Sequence, residues 1–526
     1  MKYIYIFFPV LLLMSSCSKF LEEYSTDLKY VQNTDDLNKL MIGEAFMNSP
    51  TININGQETL SDLSDNGITI APWLHVMDDD SEQFALDFVE TDKATPLYKL
   101  SGFHNWAQSP AVNILNLSWD DLFWKRIYKH IGAINAILFQ ASKLAETSDN
   151  STLKHIRGEC YFLRANYYFL LQNVYGSPYR VSSAATDEGV PLKISEKVED
   201  NYFKRDNNDK IYKQIVADLE QAEQYLQGYD PGTKIRVGIA AVKILQSRVY
   251  LYTEQYDKAI AAGKSFDAMG YTLNDLNQYS PNTNFTSRSS GESIFTMGQH
   301  TIATVFLNDS TSAWNGDDRR ASSFKASTNL MSTYASDDLR LNAFFQKSAK
   351  TKSWLPAKYR GWQTSNDPEQ VSCIFSLRYA EVILNNAEAL AMAGATEEAR
   401  NEIQKLRLKR FRNTSMDQIP AANRELVEFI RAERRRELCF EGHRWFDLRR
   451  YAVNSKYPLP QDFNIRHPAY SYNAQTNAYT PIGNYVLKSF AQDAAGWQVP
   501  IPNYAIEFNR GTLTNPVRSV RTVQPL

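Results

Sequence analysis

Residues 151–176 carry apolar side chains on two faces of one helix, and no other stretch limits the fold as tightly. Ile156, Cys160, Leu163, Tyr167, Leu170 and Val174 recur at three- and four-residue steps along one stripe, while Tyr161, Ala165 and Tyr168 form a second. A helix apolar on two sides is packed between neighbours rather than laid on a surface. Gly176 and Pro178 end it, since glycine after the last turn and proline beyond it stop a helix. The pattern returns elsewhere. Residues 119–141 place Trp124, Ile127, Ile131, Ile134 and Leu138 on one face. A helix–turn–helix follows at 207–227 and 236–268, restarting at Tyr256-Asp257-Lys258-Ala259, and another spans 378–410 on either side of Gly394. There Thr396 is expected as the N-cap, with Glu397 and Glu398 in the electropositive first turn.

Paired helices with an alanine near the start of the second resemble tetratricopeptide repeats. Their spacing is irregular and long insertions separate them, so the expected array is degenerate. Residues 48–118 are irregular and rich in Asn, Asp, Gly and Pro, and loop chemistry dominates 271–376 and 451 to the end. Composition supports a large core: 43 % of the 526 residues are apolar, and most of the 30 Tyr, 27 Phe and 9 Trp rings must be buried. A formal charge of −2, with no Lys/Arg block, argues against nucleic acid as a partner. Cys160, Cys373 and Cys439 fit neither a metal knuckle nor a disulfide framework and read as buried thiols.

The N-terminus adds a destination. Lys2, an apolar run from Ile4 to Met14, and Ser15-Ser16 before Cys17 have the layout of a secretory signal peptide. The run is too short for a bilayer span, which takes ~20 apolar residues. A cysteine directly after the cut resembles the lipobox of bacterial lipoproteins, although Met14 stands where an aliphatic or small residue is usual. The competing reading is an ordinary cleaved signal with a chance cysteine. On the lipoprotein reading residues 1–16 are removed and Cys17 becomes the lipid anchor in the membrane. Residues 17–30 then form a tether and 31–526 a single body. Two or more acyl chains hold a protein stably where one holds it only marginally.

Residues 425–450 run Glu-Leu-Val-Glu-Phe-Ile-Arg-Ala-Glu-Arg-Arg-Arg-Glu-Leu-Cys-Phe-Glu-Gly-His-Arg-Trp-Phe-Asp-Leu-Arg-Arg. Glu433, Glu437 and Glu441 each have an arginine three or four residues away, so opposite charges meet on the helix surface. Leu426, Phe429, Ile430 and Phe440 on the same helix place some of these pairs inside the array. The segment resembles the C-terminal signature of the SusD/RagB family of surface glycan-binding lipoproteins. Arg157–Tyr175, ending in Val174-Tyr175-Gly176, resembles that family's first repeat, and Asp337-Asp338-Leu339-Arg340 its mid-chain turn. Arg378-Tyr379-Ala380-Glu381 through Glu388-Ala389 resembles its arginine–acid helix. Trp497–Pro502 followed by Asn509 resembles its ending, from which Ala505 and Arg510 depart. The resemblance implies a mostly α, SusD-like fold with four helix pairs, here about 119–176, 207–268, 378–410 and 423–452. Loop-rich ligand-binding inserts would occupy about 48–118 and 271–376. It also implies a non-catalytic outer-membrane lipoprotein, without cofactors, that captures oligosaccharide at the cell surface. The partner receiving the ligand would be a TonB-dependent, SusC-like transporter.

The sequence offers little for catalysis. There is no G-x-S-x-G, H-E-x-x-H or G-x-G-x-x-G, and the seven histidines lack ligand spacing. Asp62, Ser64, Asn66 and Gly67 begin like a calcium loop, but Trp73 stands where the bidentate acid belongs, so no metal site is expected there. Asp78-Asp79-Asp80 reads as a solvated acidic loop rather than a cation site. For a sugar, ring faces cover the apolar side of a pyranose while amides and acids fix its hydroxyls. Trp73 beside His75 and Asp78, Trp106 beside His104 and Asn105, and Trp314 beside Asn315 fit that description. They lie in the inserts from which the resembling family draws ligand contacts, and each competes with a plain packing role. Trp124 and Trp445 belong to the core; Trp354 and Trp362 stay undecided. A surface glycoside hydrolase and a peptide-binding helical scaffold are the alternative functions.

Overall fold

The computed structural model describes residues 31–47, 70–83, 96–113, 117–145, 150–280, 284–297, 305–306, 324–347, 352–358, 369, 371–473, 475–476 and 478–526. Its body is helical. α1 spans Thr34–Leu40, α2 Pro96–His104, α3 Phe123–Ala145, α4 Ser151–Tyr175, α5 Asn208–Leu226 and α6 Ile239–Tyr252. The remaining long helices are α7 (Tyr256–Lys264), α8 (Tyr379–Ala393), α9 (Thr396–Arg407), α10 (Asn423–Leu438) and α11 (Arg444–Ala452). Asn33, Asn150 and Asn207 cap α1, α4 and α5, each accepting a first-turn backbone N–H that has no partner within the helix. Gly394 ends α8 at φ 88°, and Gly442, at φ 74°, separates α10 from α11; both are left-handed conformations that favour glycine. Thr396 is not the N-cap of α9, because Ala395 holds that position. Its hydroxyl instead donates to Asn423 Oδ1 (2.5 Å), joining the starts of α9 and α10.

Helices pack largely in chain order: α3 on α4, α4 on α5, α5 on α6, α6 on α7, with α8 against α6, α7, α9 and α10. This is the paired, tetratricopeptide-like array. α4 is buried from Phe162 through Tyr175, as its two apolar stripes require. Two-point Arg–carboxylate pairs set one helix against the next, because the guanidinium fork accepts only one placement of its partner. Arg164 grips Asp218 (2.8 and 2.7 Å) between α4 and α5, and Arg248 grips Glu381 (2.6 and 2.6 Å) between α6 and α8. Arg450 holds Glu388 (2.8 and 2.6 Å) between α11 and α8. No helix among the described residues is long and apolar enough to cross a membrane.

Among the described residues, three short antiparallel ribbons decorate the array. β1 (Ser81–Gln83) pairs with β3 (Phe324–Ala326), β2 (Ser293–Thr296) with β6 (Ser376–Arg378), and β4 (Phe345–Lys347) with β5 (Trp354–Pro356). The stretch after residue 451, expected as loop, instead forms a hairpin of β7 (Ile465–Asn473) and β8 (Ala478–Leu487), with β9 (Gln524–Pro525) added beside β8. Prolines mask it in the sequence, since each removes a ladder donor. Pro468 is tolerated on the edge strand β7, and Pro481 sits at the register shift between Ala469 and Tyr470.

Candidate functional site

The 425–450 segment contributes to a charge network almost without solvent contact. Glu437 is its centre, accepting from Arg378 (2.7 Å), Arg410 (2.9 and 3.0 Å) and Arg340 (3.3 Å). Glu292 reaches Arg378 and Arg410 (2.9 and 2.6 Å), and Glu441 accepts from Arg378 and Lys358 (2.8 and 2.6 Å). Arg340, held by Asp338 at 2.7 Å, is the arginine of the mid-chain turn. Burial works against the charges of Glu433 and Glu437, and opposite neighbours outweigh it. Arg410 and Arg378 hold Glu437 well below the usual carboxylate range, and Arg340 and Arg436 hold Glu433 at about 2. Surface pairing along the helix is therefore only part of the arrangement. Glu433 does meet Arg436 (2.9 Å), but Glu437 and Glu441 reach arginines far away in sequence. With its charges engaged with one another, the network is a rigid floor.

The first insert is latched to this floor. Arg444 donates twice to Asp79 (2.7 and 2.8 Å), and Arg435 donates to Asp80 (2.7 Å). Asp78 accepts the N–H of Asp80 (3.0 Å), and burial beside Asp80 and Asp79 raises its carboxyl well above the usual range. The solvated acidic loop of the sequence reading is thus corrected: Asp78 and Asp80 are buried, and guanidinium groups take the place a cation would hold against Asp79 and Asp80.

β1 continues directly from the latch, and its pairing with β3 sets Gln83 opposite Phe324. Gln83 and Phe324, which border segments 84–95 and 307–323 in the sequence, therefore stand at one end of a single two-stranded ribbon. Glu82 and Lys325 pair across it (3.0 Å), and Thr328 Oγ1 donates to Glu82 (3.0 Å). β7 lies against β1 and β5 against β3. These strands bring two partly exposed rings to the ribbon's margins. Trp354 has Lys347 Nζ 5.6 Å from its ring centre, and Tyr470 has its hydroxyl raised by burial and by the charge of Glu82. Rings with carboxylate and ammonium groups beside two loop roots are the equipment of a sugar site.

Two tryptophans expected as ligand platforms are core residues instead. Trp73 and Trp106 are 0 and 1 % exposed. Trp73 stacks on Phe103 (4.9 Å between ring centres, 6°) and meets the edge of Phe123. Trp106 stacks on His467 (4.3 Å, 21°) and donates its indole N–H to Met77 O (2.9 Å). Neither ring has a face free for a sugar, so both are withdrawn as platforms. Three of the polar neighbours that suggested exposed loops, His75, Asp78 and His104, are buried too, with His104 Nδ1 2.7 Å from Val76 O, while Asn105 is half-buried. Trp314, Asn315, Trp362 and Cys17 lie outside the described residues. Trp124 and Trp445 are in the core, and Cys160, Cys373 and Cys439 are buried thiols, all as expected. Trp354 and Tyr470 sit in no motif, and only their position at strand margins marks them.

Residues 224–517 match the profile of the SusD family, and residues 80–251 match one described as starch-binding associating with outer membrane. SusD-like protein P2 of Formosa agariphila is 24 % identical over 377 residues, spanning 64 % of this chain and 72 % of its own. Two crystal structures share the fold. One is a SusD superfamily protein from Bacteroides thetaiotaomicron, with a TM-score of 0.65 at 21 % identity over 92 % of this chain and 100 % of that one. The other is a SusD-like carbohydrate binding protein from Bacteroides vulgatus, with a TM-score of 0.62 at 17 % identity over 91 % and 97 %.

Proposed function

The chain belongs to the SusD family, and from that membership we propose that it is an outer-membrane lipoprotein that binds glycan and passes it to a SusC-like, TonB-dependent transporter. The observation that carries this reading is the β1–β3 ribbon. Gln83 and Phe324, the residues that border the two insert segments, stand side by side on it, on a frame held by buried charge, next to the partly exposed Trp354 and Tyr470. Loops on a fixed frame are where binding residues collect. In this reading Trp314 and Asn315, on the segment 307–323, join Trp354 in gripping the ligand. The indole faces stack on pyranose rings, and the Asn315 amide and the Glu82–Lys325 pair take hydroxyls. An acylated Cys17 anchors the chain at the cell surface, with residues 17–30 as tether. The descriptions of the 80–251 profile and of the Bacteroides vulgatus protein support sugar as the ligand class. The protein works by capture and hand-over, without breaking a bond.

Equilibrium binding of the mature chain to a polysaccharide panel tests this reading. The expected result is saturable binding to at least one member with no release of reducing ends, weakened about tenfold in Trp354→Ala and in Trp314→Ala. New reducing ends would replace capture by hydrolysis. Peptide binding that both tryptophan variants leave intact would favour a helical scaffold. Isolation of the native lipoprotein from outer membranes, with the transporter expected to accompany it, tests the hand-over.

A further inference from the structure

The connection between α5 and α6 borders a cleft of about 210 Å³, lined among others by Tyr229, Asp230, Lys234, Ile239, Met269 and Tyr271. None of its lining residues belongs to the β1–β3 ribbon or its margins. Its walls combine two partly exposed rings with one carboxylate and one ammonium. Among the described residues, the Tyr229 and Tyr271 hydroxyls make no hydrogen bond and Lys234 makes no ion pair. Asp230 uses one oxygen, which accepts the Gly232 N–H (2.9 Å). The Lys234 ammonium lies 5.0 Å from the centre of the Tyr271 ring, and His155 stacks on Tyr229 (3.6 Å, 21°), bracing it. The connection is itself fixed. Lys234 O accepts from Thr296 N (2.7 Å), and Arg236 donates to the buried Glu159 (2.8 Å).

We infer that this cleft is a second site, separate from the ribbon, for a single neutral pyranose unit, such as the end or a branch of a glycan. The inference rests on the glycan-binding reading above. One ammonium and one carboxylate give the cleft no net charge, so an acidic sugar would meet repulsion from Asp230 as well as attraction from Lys234. A flat apolar molecule would cover both charged groups without replacing their water. A neutral sugar suits both. Its hydroxyls donate to Asp230 and accept from Lys234, and its C–H face lies on a tyrosine ring. The small volume admits one ring rather than a chain.

Saturation-transfer NMR on the mature chain, with the methyl glycosides of glucose, galactose, mannose and xylose, tests the site. At least one glycoside is expected to give a saturable signal. Tyr229→Ala and Lys234→Met are expected to weaken it about tenfold, and Trp354→Ala to leave it unchanged. Lys234→Met keeps the stem of a partly exposed side chain and removes only its charge, so its effect is not one of misfolding. A signal that both cleft variants retain, or one that only Trp354→Ala abolishes, would overturn the inference while leaving glycan capture intact. If the unaltered chain binds neither glycoside nor polysaccharide, both readings fall together.

Discussion

Glu437 is a buried carboxylate with several cations around it. Arg378, Arg410 and Arg340 all reach it away from the protein surface. Glu437→Gln keeps the shape and removes the charge, leaving those guanidinium groups under-compensated. Breaking a buried ion pair on one side costs about 3–5 kcal/mol, and urea unfolding is expected to show a loss of that size; a change near zero would mean that Glu292 and Glu441 suffice. Titration gives a second test at this scale. Glu388, held down by Arg450 and Arg431 against the effect of burial, stands at about 2, as does Glu433. Both folded values lie below the ordinary 4.5, so the stability they add is present above about 4.5 and is lost as pH falls toward about 2. Asp121 has the opposite sign. Burial pushes its carboxyl up to about 6, only partly offset by the Phe123 N–H, Trp73 and Tyr175. Its contribution is therefore full below about 4 and is lost as pH rises through about 6. Asp121→Asn cannot ionise and is expected to avoid that loss, which is on the order of 3 kcal/mol. Denaturant midpoints at pH 4 and pH 7 check it, and a variant no more stable than the parent at pH 7 would contradict the assignment.

Between elements, distance of approach decides. Replacing glycine by alanine in an exposed helix gains up to ~1 kcal/mol. At Gly158 the sign reverses, because a Cβ there would lie 2.5 Å from Leu226 Cγ and 3.1 Å from Tyr225 Cβ, where α4 meets α5. Overpacking costs about 1–3 kcal/mol, so Gly158→Ala is expected to destabilise, and adding Leu226→Ala to cost less than it does alone. Strict additivity in that cycle would show that α5 yields freely. The same elements show what a sequence reveals. Helix periodicity is written inside each segment, so α3 through α11 could be placed from Ile156, Ile244 or Ala387 and their three- and four-residue neighbours. The Thr396 cap was misplaced by one residue because its hydroxyl bonds Asn423, on another helix. The β7–β8 hairpin was not legible, since Ile465 finds its partner at Leu487 and prolines interrupt both strands. Trp73 and Trp106 were misread for a related reason. The rings that enclose them, Phe103, Phe123 and His467, come from α2, α3 and β7, and only the fold brings them together.

Across the whole molecule, the C-terminal signature clasps pieces that lie far apart in the chain. Arg435 and Arg444 hold Asp80 and Asp79, 355 and 365 residues earlier. Glu437 holds Arg340 and Arg378 from the middle. The sequence marks this segment as a family signature but shows only its pairs along one helix, because the partners that matter are non-local. The β1–β3 ribbon begins at Ser81, next to the clasped Asp80, so its placement depends on residues that need never touch a ligand. Arg444→Ala isolates this dependence. It removes the two-point grip on Asp79 and leaves that carboxylate to Arg435 alone, at 3.2 Å. Hydrogen exchange is expected to quicken in residues 70–83 while α3 through α6 keep their protection, and affinity for whichever glycan binds is expected to fall although no contact to it is lost. Arg444→Lys restores the charge but not the fork and is expected to fall between the two. Exchange that rises evenly along the chain would show Arg444 supporting overall stability rather than the ribbon, and binding would then fall only in proportion to the fraction unfolded.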